Sequence, residues 1–196
     1  MRIRRIEVRN FRKIRGPLLI ENLGDGLTVI AGDNEDGKST LLLALRTALF
    51  LKHKSTVAED LLPFGSKVRP ELRLHLEFDG RPYLLYKAFC QNPRAELVTP
   101  TGKLEGMAAE EELSRLLRFD SPQKASAEPK SEHQGLCGLL WVTQGESFRN
   151  HQAAASLQRD LQSALESEVG SVLTGELGRK LLQVFRERYD ENFTKT

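Results

Sequence analysis

The chain has 196 residues, which is enough for one domain with a substantial core. Its 29 Lys and Arg residues against 27 Asp and Glu residues leave a net charge of +2, and this charge gives no indication of a nucleic-acid partner. The two cysteines, Cys90 and Cys137, lie far apart and exclude a disulfide-rich scaffold. The longest apolar run, residues 41–51, is interrupted by Arg46 and is too short to span a bilayer, so we expect a cytoplasmic protein with no membrane partner.

The first predicted element is a strand over residues 2–11, in which Ile6 and Val8 alternate with charged residues. The first fifteen residues include seven basic ones: Arg2, Arg4, Arg5, Arg9, Arg12, Lys13 and Arg15. Two interpretations stay open. The charges either protect a solvated edge strand from aggregation, or they form a stripe that faces DNA, with one residue bent toward a nucleotide.

Residues 27–40 carry the strongest signal in the chain. A short apolar strand at residues 27–30 is predicted to lead into a loop and then into the buried helix of residues 41–51. The loop fits the pattern G-x-x-x-x-G-K-[ST] with Gly32, Gly37, Lys38 and Ser39. Its glycines let successive N–H groups converge on a phosphate, the lysine supplies a charge for the β- and γ-phosphates, and the serine hydroxyl suits Mg²⁺. The sequence therefore predicts a nucleoside triphosphate site.

Antiparallel strands are predicted after this helix. Residues 71–78 alternate between apolar and polar side chains, Asp79 and Gly80 form a hairpin turn, and residues 83–89 return. A second hairpin is predicted over residues 95–105 and a short helix over residues 107–117. This order of elements does not fit a simple doubly wound GTPase.

The remainder of the chain changes character twice. Residues 120–135 contain almost nothing apolar, and we expect a mobile loop there. An apolar strand follows and ends at Gln144, which on its own indicates no more than a capped turn. From residue 152 onward an apolar stripe at helical spacing predicts a helix that either packs on the domain, continues, or receives another helix.

Four segments, in this order, resemble the heads of SMC-type ATPases and in particular their SbcC-type branch. They are residues 2–12, which end in Asn10-Phe11-Arg12, the phosphate loop at residues 32–40, residues 139–146, which resemble a glutamine loop ending in Q-G-E, and the closing helix. The usual phosphate loop of that family is G-x-N-G-x-G-K-S-T. This chain departs from it with Glu35 at the position of a glycine and Asp36 beside it.

The resemblance implies an α/β fold of the P-loop NTPase class and of the ABC-ATPase head type, with a mixed sheet, an antiparallel β subdomain and C-terminal helices leading to a coiled coil. Residues 1–150 would form the N-terminal lobe of the head, with the phosphate loop at 32–40 and the glutamine loop at 139–146. Residues 151–196 would form the helical segment that ascends to the coiled coil.

The resemblance also implies ATP and Mg²⁺ as cofactors. Lys38 and Gln144 are the expected catalytic residues, and Ser39 and Gln144 the expected magnesium ligands. The expected nucleotide-binding residues are Arg12, Lys13, Gly32, Asp33, Asn34, Glu35, Asp36, Gly37, Lys38, Ser39 and Thr40. The carboxylates of Glu35 and Asp36 must point away from a triphosphate or lower its affinity.

The function implied by the resemblance is that of the ATP-binding N-terminal half of an ATPase head. The sequence has neither an apolar run ending in Asp-Glu nor an S-G-G signature loop, so we expect the chain alone to bind ATP weakly and to hydrolyse it hardly at all. The implied partners are the C-terminal half of the same head, a second head in a head-to-head homodimer, DNA, and a nuclease or defence effector. ATP would favour head closure, and hydrolysis would release it, in DNA repair or anti-phage defence.

Three other functions share parts of this pattern. The nucleotide-binding subunit of a transporter normally has a shorter interval than that from Lys38 to Gln144 and no coiled-coil ascent. A small P-loop kinase or GTPase needs an aspartate on a second strand, or N-K-x-D for guanine, and neither is present. A nucleotide-dependent clamp or sensor in a defence complex, without significant hydrolysis of its own, shares every residue named above.

Overall fold

The computed structural model describes residues 1–119, 141 and 183–188. The chain separates into two compact units, Met1–Gln144 and Gly145–Thr196. In the second unit the described residues, 183–188, are helical and exposed. In the first unit the described residues form an antiparallel sheet and two α-helices.

The described strands of the first unit are β1 (Arg2–Arg9), β2 (Leu18–Ile20), β3 (Glu71–Phe78), β4 (Arg81–Ala88), β5 (Arg94–Thr99) and β6 (Gly102–Glu105). They form one sheet in the order β2-β1-β3-β4-β5-β6, and every neighbouring pair is antiparallel. The helices are α1 (Lys38–Phe50) and α2 (Met107–Leu117), with a 3₁₀ helix at Thr56–Leu61. The α/β fold class with an antiparallel β region is thus confirmed.

The hairpins follow from the alternation of the sequence. Along β3 the residues Leu72, Leu74, Leu76 and Phe78 are buried while those between them are not. Asp79 and Gly80 both have positive φ, 48° and 75°, and join β3 to β4 by the tight turn that their residue types favour. The predicted hairpin over residues 95–105 and the predicted helix over residues 107–117 are confirmed as β5–β6 and α2.

The predicted strand at residues 27–30 is wrong, because these residues form no regular strand in the described structure. Leu27 is 94% exposed and Val29 76% exposed. A strand is held by ladder hydrogen bonds to a neighbour, and among residues 1–119 no strand lies beside this segment. For the same reason the described sheet has antiparallel pairs alone, whereas the sequence predicts a mixed sheet.

The core lies between α1 and the sheet. Leu41, Ala44, Leu45, Ala48 and Leu49 are buried on α1 and belong to the same apolar cluster as the buried leucines of β3. Burying one such leucine side chain stabilises a fold by about 1.5–3 kcal/mol, so this face fixes the helix on the sheet.

A buried ionic cluster joins α2 to β4 and to the segment after α1. The ammonium Nζ of Lys87 donates to the Glu110 carboxylate at 2.7 Å and to the Leu51 carbonyl at 2.9 Å. The other oxygen of that carboxylate accepts the backbone N–H of His53 at 2.9 Å and lies 3.0 Å from its Nδ1. Burial alone would raise the pKa of Glu110, but the charge of Lys87 and the hydrogen bonds from His53 and Lys87 lower it to about 2.

Replacement of Glu110 by alanine would leave the ammonium of Lys87 buried without its counter-ion. We expect Glu110→Ala to lower the free energy of unfolding by about 3–5 kcal/mol, measured by urea denaturation. Glu112→Ala, which removes an exposed ion pair with Arg115 on the same helix, should cost no more than about 0.5 kcal/mol. Equal losses in the two variants would contradict the importance of the cluster.

The lowered pKa of Glu110 also sets an acid dependence of stability. A carboxyl group whose pKa is lower in the folded chain contributes stability above its unfolded pKa and loses it as the pH falls toward the folded value. Between about pH 5 and about pH 2 the wild type should therefore lose on the order of 3 kcal/mol through this group. Urea denaturation at stepped pH should show a flatter dependence for Glu110→Gln, and an identical slope would refute the assignment.

Candidate functional site

The amino end of α1 presents backbone N–H groups that suit an anion. Gly37 precedes the helix with a φ of +92°, a left-handed conformation that favours glycine, and within the described structure no side chain caps the helix there. The first helical hydrogen bond runs from the Leu41 N–H to the Gly37 carbonyl at 2.9 Å. The unpaired N–H groups of the first turn and the positive end of the helix dipole therefore face outward at the loop.

Lys38 lies folded over the loop that precedes it. Its ammonium donates to the carbonyl of Gly32 at 2.7 Å and to the carbonyl of Asp33 at 2.5 Å. Both acceptors are neutral, so the ammonium has no charged partner in these two hydrogen bonds. Ser39 is the second residue of α1 and is exposed at the same end as Lys38. Lys38 and Ser39 are thus the first two residues of α1, directly after the loop.

Two neighbouring acidic residues of the loop, Glu35 and Asp36, have different surroundings. Glu35 has a φ of +76°, and its side chain is 85% exposed with the carboxylate 3.6 Å from the ammonium of Lys13. The carboxylate of Asp36 instead accepts the backbone N–H of Asp33 at 2.6 Å. Of the two carboxylates that a triphosphate would meet, Glu35 is turned to solvent and Asp36 lies on the loop.

The turn after β1 brings two more predicted residues to the loop. Phe11 is fully buried, and it exchanges backbone hydrogen bonds of 2.7 and 2.9 Å with Ile14, which makes a tight turn of Arg12 and Lys13. Arg12 is tied to the 3₁₀ helix, because its N–H donates to Leu61 at 2.8 Å and its Nε to the Asp60 carbonyl at 3.2 Å. The buried phenylalanine therefore anchors a basic turn beside the phosphate loop.

An open cleft of about 550 Å³ adjoins the loop at Glu35. Its lining residues are Arg12, Lys13, Arg15, Glu35, Leu62 and Phe64. A smaller cavity of about 130 Å³ lies on the other side of Arg12, against α1 and the 3₁₀ helix, and has no phosphate-loop residue in its lining. The larger cleft is therefore the one that continues the phosphate site.

Sequence reasoning did not predict three lining residues of this cleft as site residues, namely Arg15, Leu62 and Phe64. Phe64 is 93% exposed, and its carbonyl accepts a 3.4 Å hydrogen bond from Arg15. The signal was present, since an aromatic residue stands between Pro63 and Gly65, where a turn is expected. A large aromatic side chain on a turn, with little to bury it, is typical of a binding surface.

Six of the seven basic residues among the first fifteen divide between two settings. On β1, Arg2 and Arg4 form ion pairs with Asp25 and Glu77, and Arg5 pairs with Glu7 and Glu21. Arg12, Lys13 and Arg15 instead line the cleft. The pairing on β1 favours the structural interpretation for that strand, and the residues after it are the ones that face the candidate site.

Several predicted features lie outside the described residues. They are Gln144, the mobile loop at residues 120–135, the glutamine loop at 139–146 apart from Trp141, and the helical segment 151–196 apart from residues 183–188. Trp141 is half-buried and packs against the core of the first unit. Among the residues that the structure describes, no helix is long and apolar enough to cross a membrane.

Comparison with known proteins finds that this chain is similar to ATPases. A family model described as an AAA domain matches residues 5–99. The chain is 30% identical to a DNA double-strand break repair Rad50 ATPase of Halobacterium salinarum, over 84% of this chain and 18% of that protein. It is 23% identical to the protein of the same description in Methanococcus maripaludis, over 100% of this chain and 18% of the relative.

The chain thus spans less than a fifth of the length of these curated relatives. One similar solved structure is described as structural biochemistry of ATP-driven dimerization and DNA stimulated activation of SMC ATPases. Its sequence is 18% identical to this chain, the match covers 84% of this chain and 99% of that chain, and the TM-score is 0.49.

Proposed function

We propose that this chain is the N-terminal part of an SMC/Rad50-type ATPase head and that it binds ATP and Mg²⁺ through its phosphate loop. Its similarity to an AAA domain and to Rad50 ATPases supports this proposal. The observation that carries the proposal is the amino end of α1, where glycine 37 leaves the first helical amides uncapped beside the ammonium of Lys38. An anion with several oxygens can accept from these amides and from the ammonium together.

The residues present fit the phosphates and the metal ion. Asn34, Gly37, Lys38, Ser39 and Thr40 would hold the phosphates, and the exposed Ser39 hydroxyl is a hard oxygen donor of the kind that Mg²⁺ takes. Mg²⁺ would offset the charge of the β- and γ-phosphate oxygens. Gln144 would complete the magnesium ligands, by the family resemblance alone.

The cleft beside the loop would take the nucleoside. Phe64 offers an exposed aromatic face, and Arg12 and Arg15 lie in the same lining. Stacking of a base on an aromatic side chain contributes about 1–3 kcal/mol and tolerates any base. The ion pair between Lys13 and Glu35 joins this cleft to the phosphate loop. One nucleotide would therefore place its base in the cleft and its phosphates on the loop.

The exposed apolar segment at residues 27–30 supports a partner for this lobe. Leu27, Val29 and Ile30 are 94%, 76% and 42% exposed directly before the phosphate loop. Large apolar side chains clustered at a surface typically mark a protein interface. We assign this interface to the C-terminal half of the same ATPase head, which would supply the residues for hydrolysis that this sequence lacks.

The complete head would act as a nucleotide-gated clamp. ATP that contacts two heads shifts their population toward a head-to-head homodimer, and hydrolysis removes the γ-phosphate contact and releases it. The names of the Rad50 relatives support DNA as the ligand of that clamp and DNA double-strand break repair as its setting. A nuclease or a defence effector would then use the change in grip on DNA.

The lysine of the phosphate loop gives the direct test of nucleotide binding. We expect Lys38→Ala to weaken binding of Mg·ATP to the 196-residue chain by about 30- to 150-fold, because a charge-assisted contact to the phosphates is lost. Isothermal titration calorimetry measures the change. Lys54→Ala, at an exposed lysine beyond the other end of α1, should stay within about twofold of the wild type. Equal binding by both variants would refute the proposal.

The aromatic residue of the cleft gives a separate test of the base position. Phe64→Ala should weaken binding of ATP by at least about fivefold and leave binding of inorganic tripolyphosphate unchanged. Val68→Ala, at a half-exposed residue of the same passage, should change neither. A parallel loss for both ligands would mean that Phe64 shapes the loop and does not contact the base.

A further inference from the structure

The phosphate loop contains its own competing anion. We propose that the carboxylate of Asp36, which is held against the loop backbone at the Asp33 amide, opposes an incoming phosphate oxygen and thereby lowers the affinity of this chain for nucleoside triphosphates. The proposal rests on the assignment of residues 32–40 as the triphosphate site.

The position of the carboxylate is defined by two contacts. One Asp36 oxygen accepts the N–H of Asp33 at 2.6 Å, inside the loop. The same oxygen would lie 2.8 Å from a Cβ atom at Gly32, closer than real Cβ contacts come. The carboxylate therefore reaches the bare backbone of the loop because residue 32 has no side chain.

The lysine of the motif lies against the same short stretch of backbone. Lys38 donates to the carbonyls of Gly32 and Asp33, while Asp36 accepts from the amide of Asp33. An incoming triphosphate must draw the ammonium away from these carbonyls and also approach a fixed negative charge at the amide. Two like charges a few ångströms apart repel by on the order of 1 kcal/mol or more near a protein surface, so the carboxylate has to leave or weaken binding.

The shape of the loop does not depend on this carboxylate. The backbone N–H of Asp36 donates to the Asp33 carbonyl at 3.3 Å, a bond that any residue except proline can make at position 36. Gly37 and the first helical bond from Leu41 set the entry to α1 independently. Removal of the side chain should therefore free the Asp33 amide without unfolding the loop.

The neighbouring Glu35 provides a matched control. It carries the same charge one residue earlier, but its carboxylate is turned to solvent and lies 3.6 Å from Lys13. Loss of that charge changes the net charge of the loop by the same amount as loss of the Asp36 charge. Both substitutions remove one negative charge, so a difference in ATP affinity between Glu35→Gln and Asp36→Asn reports the effect of where the carboxylate lies.

The experiment measures binding of Mg·ATP to the 196-residue chain by calorimetry. Asp36→Ala should bind about tenfold more tightly than the wild type, Asp36→Asn should lie between the two, and Glu35→Gln should gain clearly less affinity than Asp36→Asn. Without nucleotide, the amide proton resonance of Asp33 should move upfield in Asp36→Ala, since it loses a charged acceptor. Circular dichroism establishes that each variant is folded.

The outcomes separate this inference from the proposed function. Unchanged or weaker binding by Asp36→Ala, with binding still lost in Lys38→Ala, would overturn the competing anion and leave the triphosphate site standing. An equal gain in Glu35→Gln and Asp36→Asn would reduce the effect to net charge and also overturn it. Failure of every variant to bind ATP, Asp36→Ala included, would overturn both.

Discussion

Burial of α1 against the antiparallel sheet determines where the phosphate loop can act. Leu41, Ala44, Leu45, Ala48 and Leu49 fix the helix on the sheet, so its axis and its amino end are set by packing. The loop before it is exposed and reaches the helix through a glycine with positive φ. The amides available to an anion are therefore held by the core, while the loop itself needs little packing of its own.

Local patterns predicted most of the described fold and failed where a partner was needed. The β3–β4 hairpin and α2 were predicted because alternation and helical periodicity are properties of the segment alone. Residues 27–30 have the composition of a strand, yet a strand also requires a neighbour, and the described residues supply none. Composition sets what a segment can become, and its surroundings decide whether it does.

Charge pairing was beyond sequence reasoning because the partners are far apart in the chain. Lys87 and Glu110 are 23 residues apart, and His53 is 57 residues from Glu110, yet all three meet in a buried cluster. The arginines of β1 were likewise open to two interpretations until the structure placed Asp25, Glu21 and Glu77 beside them. A basic stripe in a sequence therefore says little about the free charge on a surface.

The phosphate loop shows the same limit within two adjacent residues. The motif predicted Lys38 beside the loop, and its ammonium donates to the loop carbonyl of Gly32. Arg12 and Lys13, which the family resemblance implied, line the adjoining cleft. The motif could not predict the direction in which the acidic side chains of the loop point. Because φ is positive at Glu35, that side chain projects to solvent, while the next residue, Asp36, turns its carboxylate onto the backbone. Identical charges one position apart thus have different surroundings, one joining the loop to the basic turn and the other held on the loop backbone, where we propose that it opposes an incoming phosphate.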